Sequence, residues 1–213
     1  GEFEKWKARL VAGGHMQNRD EYTSSQTSSP TVGMTSLLTV AAIAAKEGRK
    51  TATADFTAAY LNANMTEGKL ILMRLQRESA AILCMLVPEY KQFLQDNGTM
   101  IVRLTKALYG CIESAKLWFD DISKTLLDDG FVVNDKDLCV FNKDVDGKQL
   151  TVCLYVDDLF ITCESENAIN RLAEMLRAKY SSMTLSVSDQ LKFVGMNLDF
   201  SVPGECRVSM PNF

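Results

Sequence analysis

Two adjacent carboxylates, Asp157 and Asp158, stand between two apolar runs, and this arrangement restricts the fold more than any other part of the sequence. Leu150-Thr151-Val152-Cys153-Leu154 precedes them and Leu159-Phe160-Ile161-Thr162-Cys163 follows, each with the length and side chains of a largely buried β-strand. Tyr155-Val156-Asp157-Asp158 leaves room only for a tight turn, so the runs form a hairpin. Asn-Gly or Asp-Gly is the usual dipeptide of such a turn, whereas two like charges there repel each other. A compensating cation is expected, and carboxylates at such a turn look like metal ligands.

The 213 residues, 46% of them hydrophobic, suffice for a sizeable core in one or two units. No apolar run approaches the roughly 20 residues of a membrane span, and the charged start Gly1-Glu2-Phe3-Glu4-Lys5-Trp6-Lys7 is unlike a secretory signal. An intracellular protein without a membrane partner is expected. The missing initiator methionine and the ending Met210-Pro211-Asn212-Phe213 suggest a piece of a longer chain. Six cysteines without a Cys-x-x-Cys pair point to buried reduced thiols rather than disulfides or zinc. The lone histidine, His15, reads as a loop residue, so any metal should be a hard cation held by oxygen. A net charge of −4 argues against a basic nucleic-acid face over the whole chain, though not against a local one.

Trp6 to Ala12 alternates Lys7 and Arg9 with Ala8 and Leu10, which predicts a strand with a basic face. Residues 13–30 read as a long polar loop. Leu37, Val40, Ala41 and Ala44 predict a buried helix stopped by Gly48. Thr51-Ala52-Thr53-Ala54-Asp55-Phe56 has the alternation of a half-buried strand with Asp55 near its end. Residues 70–75 and 99–104 are further strands around a loop with a short helix. Ala115, Trp118, Phe119, Ile122 and Leu126 predict one amphipathic helix, and Ile169, Leu172, Leu176 and Tyr180 another. The order implies an α+β fold, helices packed on one face of an antiparallel sheet.

If the strand ending near Asp55 neighbours the hairpin strand, the carboxylates converge. Three of them could hold two magnesium ions about 4 Å apart, as phosphoryl transfer requires. The alternative is a solvated acidic turn, since Asp-Asp is common at loop tips.

The Tyr155-Val156-Asp157-Asp158 tetrad resembles the signature of reverse transcriptases, and Asp55-Phe56-Thr57-Ala58-Ala59-Tyr60-Leu61 resembles their first catalytic motif. Lys7-Ala8-Arg9-Leu10-Val11-Ala12, Lys106-Ala107-Leu108-Tyr109-Gly110 with Ser114-Ala115 and Trp118-Phe119, and Leu191-Lys192-Phe193-Val194-Gly195 resemble the copia-type retrotransposon enzyme. These motifs keep the family's order over nearly the whole chain.

The resemblance implies right-hand polymerase fingers (1–50 and 66–109) and palm (51–65 and 110–213, with the primer-grip hairpin), and RNA-directed addition of deoxynucleotides to a primer 3′-hydroxyl with release of pyrophosphate. Asp55 and Asp157 would be the principal ligands of two Mg²⁺ or Mn²⁺ ions, Asp158 would support them, and the Phe56 carbonyl would serve the nucleotide-bound metal. Ala58 and Ala59 would offer backbone N–H groups to the triphosphate. Tyr60 would be the steric gate against a 2′-hydroxyl. Lys7 and Arg9 would neutralise the triphosphate, and Tyr109 and Gly110 would shape the nucleotide pocket. Tyr155, Phe193, Val194 and Gly195 would meet the primer, while Trp118 and Phe119 read as core. Lys179 and Lys192 are both possible proton donors to pyrophosphate.

Gly13-Gly14-His15-Met16 departs from the Lys-Gly-Phe usual in the family at this point. The implied partners are a template with its primer duplex, deoxynucleoside triphosphates, and the thumb, RNase H and integrase of a parent polyprotein, which this chain lacks, in cytoplasmic virus-like particles. Without a thumb, weak or no processive synthesis is expected. A non-catalytic remnant that binds nucleic acid or a protein, and another two-metal palm enzyme such as a nucleotide cyclase, are the alternatives.

Overall fold

In chain order the helices and strands of the computed structural model are α1 (Ser24–Thr27), α2 (Met34–Glu47), β1 (Lys50–Phe56), β2 (Leu72–Leu75), α3 (Arg77–Leu86), β3 (Met100–Arg103), α4 (Ser114–Asp128), β4 (Val132–Asn134), β5 (Asp137–Val145), β6 (Lys148–Tyr155), β7 (Asp158–Cys163), α5 (Glu166–Lys179), β8 (Met183–Val187), β9 (Gln190–Phe193), β10 (Met196–Asp199) and β11 (Arg207–Ser209). The structure describes residues 9–180 and 182–210. Lys7 and most of the expected basic strand lie outside them, and the described part of that segment, Arg9 to Ala12, is in no strand. Contacts divide the chain into a unit of Gly1–Thr27 with Tyr60–Trp118 and a unit of Ser28–Ala59 with Phe119–Phe213.

The second unit is built on a six-stranded sheet in the order β4-β5-β6-β7-β1-β8, with every neighbouring pair antiparallel. The α+β class follows directly from this sheet and its helices. Alternation along β1 buries Ala52, Ala54 and Phe56 and exposes Asp55. The central strands β6 and β7 are buried on both faces, which explains their nearly unbroken apolar sequence. One face is covered by α4 and α5, whose Ile122, Leu126, Ile169, Leu172 and Leu176 are buried at helical spacing. The opposite face carries Phe160, whose ring meets Phe193 and Phe200 at 5.9 and 6.2 Å. Those two residues flank or belong to the β9-β10-β11 sheet, which therefore packs across that face.

Local signals set the element ends. α2 stops where Gly48 adopts a left-handed conformation (φ 63°) and donates its N–H to the Ala44 and Ala45 carbonyls. α5 begins at Ser165, whose hydroxyl accepts the Ala168 N–H. Asp146 and Gly147, both at positive φ, form the tight turn between β5 and β6. β4, which the sequence reading did not single out, pairs with β5 at the edge of the sheet.

In the first unit β2 and β3 form a two-stranded ribbon, and Leu75 and Met100 on it pack with Ala80 and Cys84 of α3. A buried carboxylate organises the remainder. Glu113, with its side chain 4% exposed, accepts from Tyr22 Oη (3.0 Å) and Gln17 Nε2 (3.2 Å) and lies 3.6 Å from Lys69 Nζ. Lys69 also sits over the Tyr22 ring. Burial, then the hydrogen bond to Glu113, raises the proton affinity of the Tyr22 phenol. Six free cysteines, four of them buried, agree with the reduced thiols expected. Among the described residues no helix is long and apolar enough to cross a membrane.

Two backbones meet closely in this unit. Ala12 N–H donates to the Tyr109 carbonyl at 2.7 Å, and a Cβ on Gly14 would overlap the Gly110 carbonyl oxygen. A Cβ on Gly110 (φ 93°) would overlap the Ala12 carbonyl oxygen. Gly14→Ala or Gly110→Ala should each lower stability by about 1–3 kcal/mol in urea unfolding, while Gly13→Ala, which meets only movable side-chain atoms, should not.

Candidate active site

The register of β1 with β7 sets Asp55 directly opposite Asp158. Cross-strand partners share a face, so these carboxylates stand side by side, on the face opposite to Ala54 and Phe56. Tyr155 is paired with Asp158 from β6, which gives a row Tyr155, Asp158, Asp55 across three strands. Asp157 is outside this row, as the second residue of a two-residue loop. Its carbonyl accepts the Phe56 N–H at 3.0 Å, a direct tie between the loop and the end of β1. The first loop residue, Val156, has φ 54°, a conformation that costs a β-branched residue about 1–2 kcal/mol.

Burial pushes the Asp158 carboxyl up to about 6, and the charges of Asp157 and then Asp55 push in the same direction. Among the described residues no group of three or more His, Cys, Asp or Glu side chains is drawn together tightly enough to hold a metal ion. The donor chemistry nevertheless fits a hard cation. Asp55 and Asp158 are directly paired, Asp157 is the next residue, and after burial the charges of Asp157 and Asp55 both oppose ionisation of Asp158, as a cation held there by oxygen would not.

In the first unit, Arg9, Tyr60, Tyr109 and Gly110 come together from three separate segments. The Tyr60 and Tyr109 rings lie 4.4 Å apart at 31°, and the Arg9 guanidinium sits 4.4 Å over the Tyr109 ring. The close backbone neighbour of Gly110 is the Ala12 to Gly14 segment, so a glycine is required there before any nucleotide is considered. Ala58 and Ala59 belong to the second unit. Ala58 is left-handed (φ 55°) and turns the chain from β1 into the 3₁₀ helix Ala59–Asn62, in which Ala59 is buried.

Phe193 is buried against Phe160, so only its backbone could meet a primer. Val194 and Gly195 form the turn between β9 and β10, with φ of 49° and 75°. Lys179 Nζ is engaged by Asp121 Oδ1 at 3.0 Å and Thr125 Oγ1 at 2.6 Å. Lys192 is exposed on β9. Trp118 is buried and Phe119 half-buried, in line with core positions. Glu113, which is buried, went unnoticed in the sequence because nothing in its spacing distinguishes it from an ordinary loop residue, while Tyr180, also buried, is read there only as an apolar position of its helix, without the hydroxyl contacts to α4.

The family model described as reverse transcriptase (RNA-dependent DNA polymerase) matches residues 2–213. The chain belongs to the reverse transcriptase family. It is 26% identical over 212 residues to the Saccharomyces cerevisiae Transposon Ty1-DR4 Gag-Pol polyprotein, a match that covers 97% of this chain and 12% of the relative. The Saccharomyces cerevisiae Transposon TyH3 Gag-Pol polyprotein is likewise 26% identical, with 97% and 11% covered. These relatives place the reverse transcriptase in the copia type, and the chain spans only about an eighth or less of their length. A solved structure of apo telomerase from Candida tropicalis, truncated from the C-terminal domain, aligns with TM-score 0.45 and 9% identity over 82% of this chain and 38% of that one.

A carboxyl whose folded pKa is raised destabilises the metal-free protein when ionised. This penalty is present above about pH 6 and is relieved as pH falls toward the ordinary carboxylate range. In chelator, Asp158→Asn should therefore raise stability at pH 7 by about 1–2 kcal/mol, allowing for solvent screening, and flatten the unfolding profile between about pH 4 and 6.

Proposed function

We propose that this reverse transcriptase chain is an RNA-directed DNA polymerase core that joins deoxynucleotides to a primer 3′-hydroxyl. The observation that carries the reading is the pairing of Asp55 with Asp158 beside the Asp157 loop, in a chain that the family model matches almost throughout. Reverse transcriptases generally use divalent metal ions. Here Asp55, Asp157 and the Phe56 carbonyl are the proposed ligands of two Mg²⁺ or Mn²⁺ ions, with Asp158 beside them. Bound there, such ions would acidify the primer hydroxyl and offset charge on the leaving pyrophosphate.

The protein's own task is positioning and electrostatics. The Phe56 N–H bond to the Asp157 carbonyl holds the loop carboxylate at a fixed height relative to Asp55. Arg9, with Lys7, supplies positive charge to the triphosphate, and the stacked Tyr60 and Tyr109 rings give a flat, rigid surface for the nucleotide, with Tyr60 rejecting a 2′-hydroxyl. Ala58 and Ala59 present backbone N–H groups where small side chains permit close approach. Tyr155 and the Phe193-Val194-Gly195 turn are the proposed primer contacts.

In this reading the unit that holds Arg9, Tyr60 and Tyr109 corresponds to fingers, and the unit with the six-stranded sheet to palm. Template, primer and the remaining domains of a Gag-Pol-like polyprotein are the proposed partners, in a cytoplasmic retrotransposon particle.

Primer extension on an RNA template with Mg²⁺ or Mn²⁺ tests this directly. Wild type should add nucleotides in short, non-processive steps, and Asp157→Asn should lose about 100-fold or more of that rate. Template binding without extension in either protein would point to a non-catalytic remnant instead. In the same assay Tyr60→Ala should accept ribonucleotides, and unchanged exclusion of them would remove Tyr60 as the gate.

A further inference from the structure

Behind the carboxylates, on the other face of the sheet, a buried phenol links the packing helices to the strand that bears Asp55. Tyr180, the residue after α5, is 1% exposed. Its hydroxyl donates to Asp121 Oδ2 at 2.5 Å and lies 2.7 Å from Thr125 Oγ1, both on α4. Lys179 bridges the same two side chains, so the hydroxyl end is held by a charged and hydrogen-bonded cluster. The ring end meets the Phe56 ring edge-on, with centroids 5.3 Å apart and planes at 81°. Phe56 is itself 1% exposed, adjoins Asp55, and gives its N–H to the Asp157 carbonyl. The segment after Tyr180 reinforces the same place. Met183 pairs with Phe56, and Thr57 N–H donates to the Ser182 carbonyl at 3.0 Å.

We infer that Tyr180 is a positioning residue for the carboxylate site, anchored on α4 by its hydroxyl and fixing, through Phe56, the height of Asp55 and the loop that carries Asp157. This role presupposes the metal site proposed above. Its physical content is a contiguous path: α4 carboxylate, phenol, ring, ring, peptide N–H, loop carbonyl. Aromatic rings are stiff, and an edge-to-face pair with both members buried leaves little freedom to slide. The loop needs such support because Val156 holds a conformation its side chain disfavours. Without the Tyr180 ring, the end of β1 would keep its strand pairing but lose its rigid backing.

Manganese binding to the 213-residue chain, read as loss of the free-ion electron paramagnetic resonance signal, separates this role from ordinary core packing. Wild type should bind and Asp157→Asn should not; equal binding by these two would overturn the metal site itself and this inference with it. Tyr180→Leu should weaken affinity about tenfold, the low end of the effect of losing a partner that orients a metal ligand. Tyr180→Phe, which keeps the ring but frees it from α4, should weaken it about threefold. Leu172→Ala, a cavity in α5, should lower the melting temperature comparably yet leave manganese affinity at the wild-type value. Wild-type affinity in Tyr180→Leu, or an equal loss in Leu172→Ala, would overturn the inference. Should Tyr180→Leu not fold, the Tyr180→Phe arm decides alone: undiminished affinity there rejects the tether.

Discussion

The register between β1 and β7 is the constraint on which the rest depends. It places two carboxylates opposite each other, an arrangement that strand pairing alone disfavours. A slip of one residue would separate them, because it would turn Asp55 to the face now occupied by Ala54 and Phe56. The slip is prevented by apolar neighbours of the charged residues. Ala52, Ala54 and Phe56 must face α4 and α5, and Phe160 must face Phe193 and Phe200. Hydrophobic burial thus holds the acidic groups together against their own repulsion. Burial first, and then the charges of Asp157 and Asp55, push Asp158 toward its protonated form.

The two units solve different problems with different forces. Around the carboxylates, positions are set by strand pairing, one peptide hydrogen bond and an aromatic pair in the core. Around Tyr109 they are set by side-chain stacking, a cation over a ring and a buried Glu113 that gathers Tyr22, Gln17 and Lys69. The first set of constraints acts chiefly through the backbone and the second through side chains.

Much of this was legible in the sequence, for physical reasons that differ from residue to residue. The hairpin was readable because its strands are buried on both faces and so are apolar without interruption. β1 was readable because one of its faces is buried, which leaves an alternation in the sequence. α2 was readable because Gly48 supplies its left-handed end. The strand expected from Trp6 to Ala12 is not found in its described part, Arg9 to Ala12, which follows the backbone near Tyr109 instead. Placing Asp157 and Asp158 together on the turn was too coarse: one belongs to the loop and one begins the strand. Glu113 could not be read at all, and Tyr180 was legible only as an apolar position of its helix. Their importance comes from partners distant in the chain, such as Gln17, 96 positions before Glu113, and Asp121, 59 before Tyr180.

The contact between Gly14 and Gly110 is made by main chain against main chain. Gly14 is crowded by the Gly110 carbonyl, and Gly110 in turn by the Ala12 carbonyl and the Val11 side chain. A side chain gained at either glycine would have to be met by a displaced backbone in the facing segment. The polar loop near the start of the chain and the segment of Tyr109 can therefore shift only together, as one thickness of main chain.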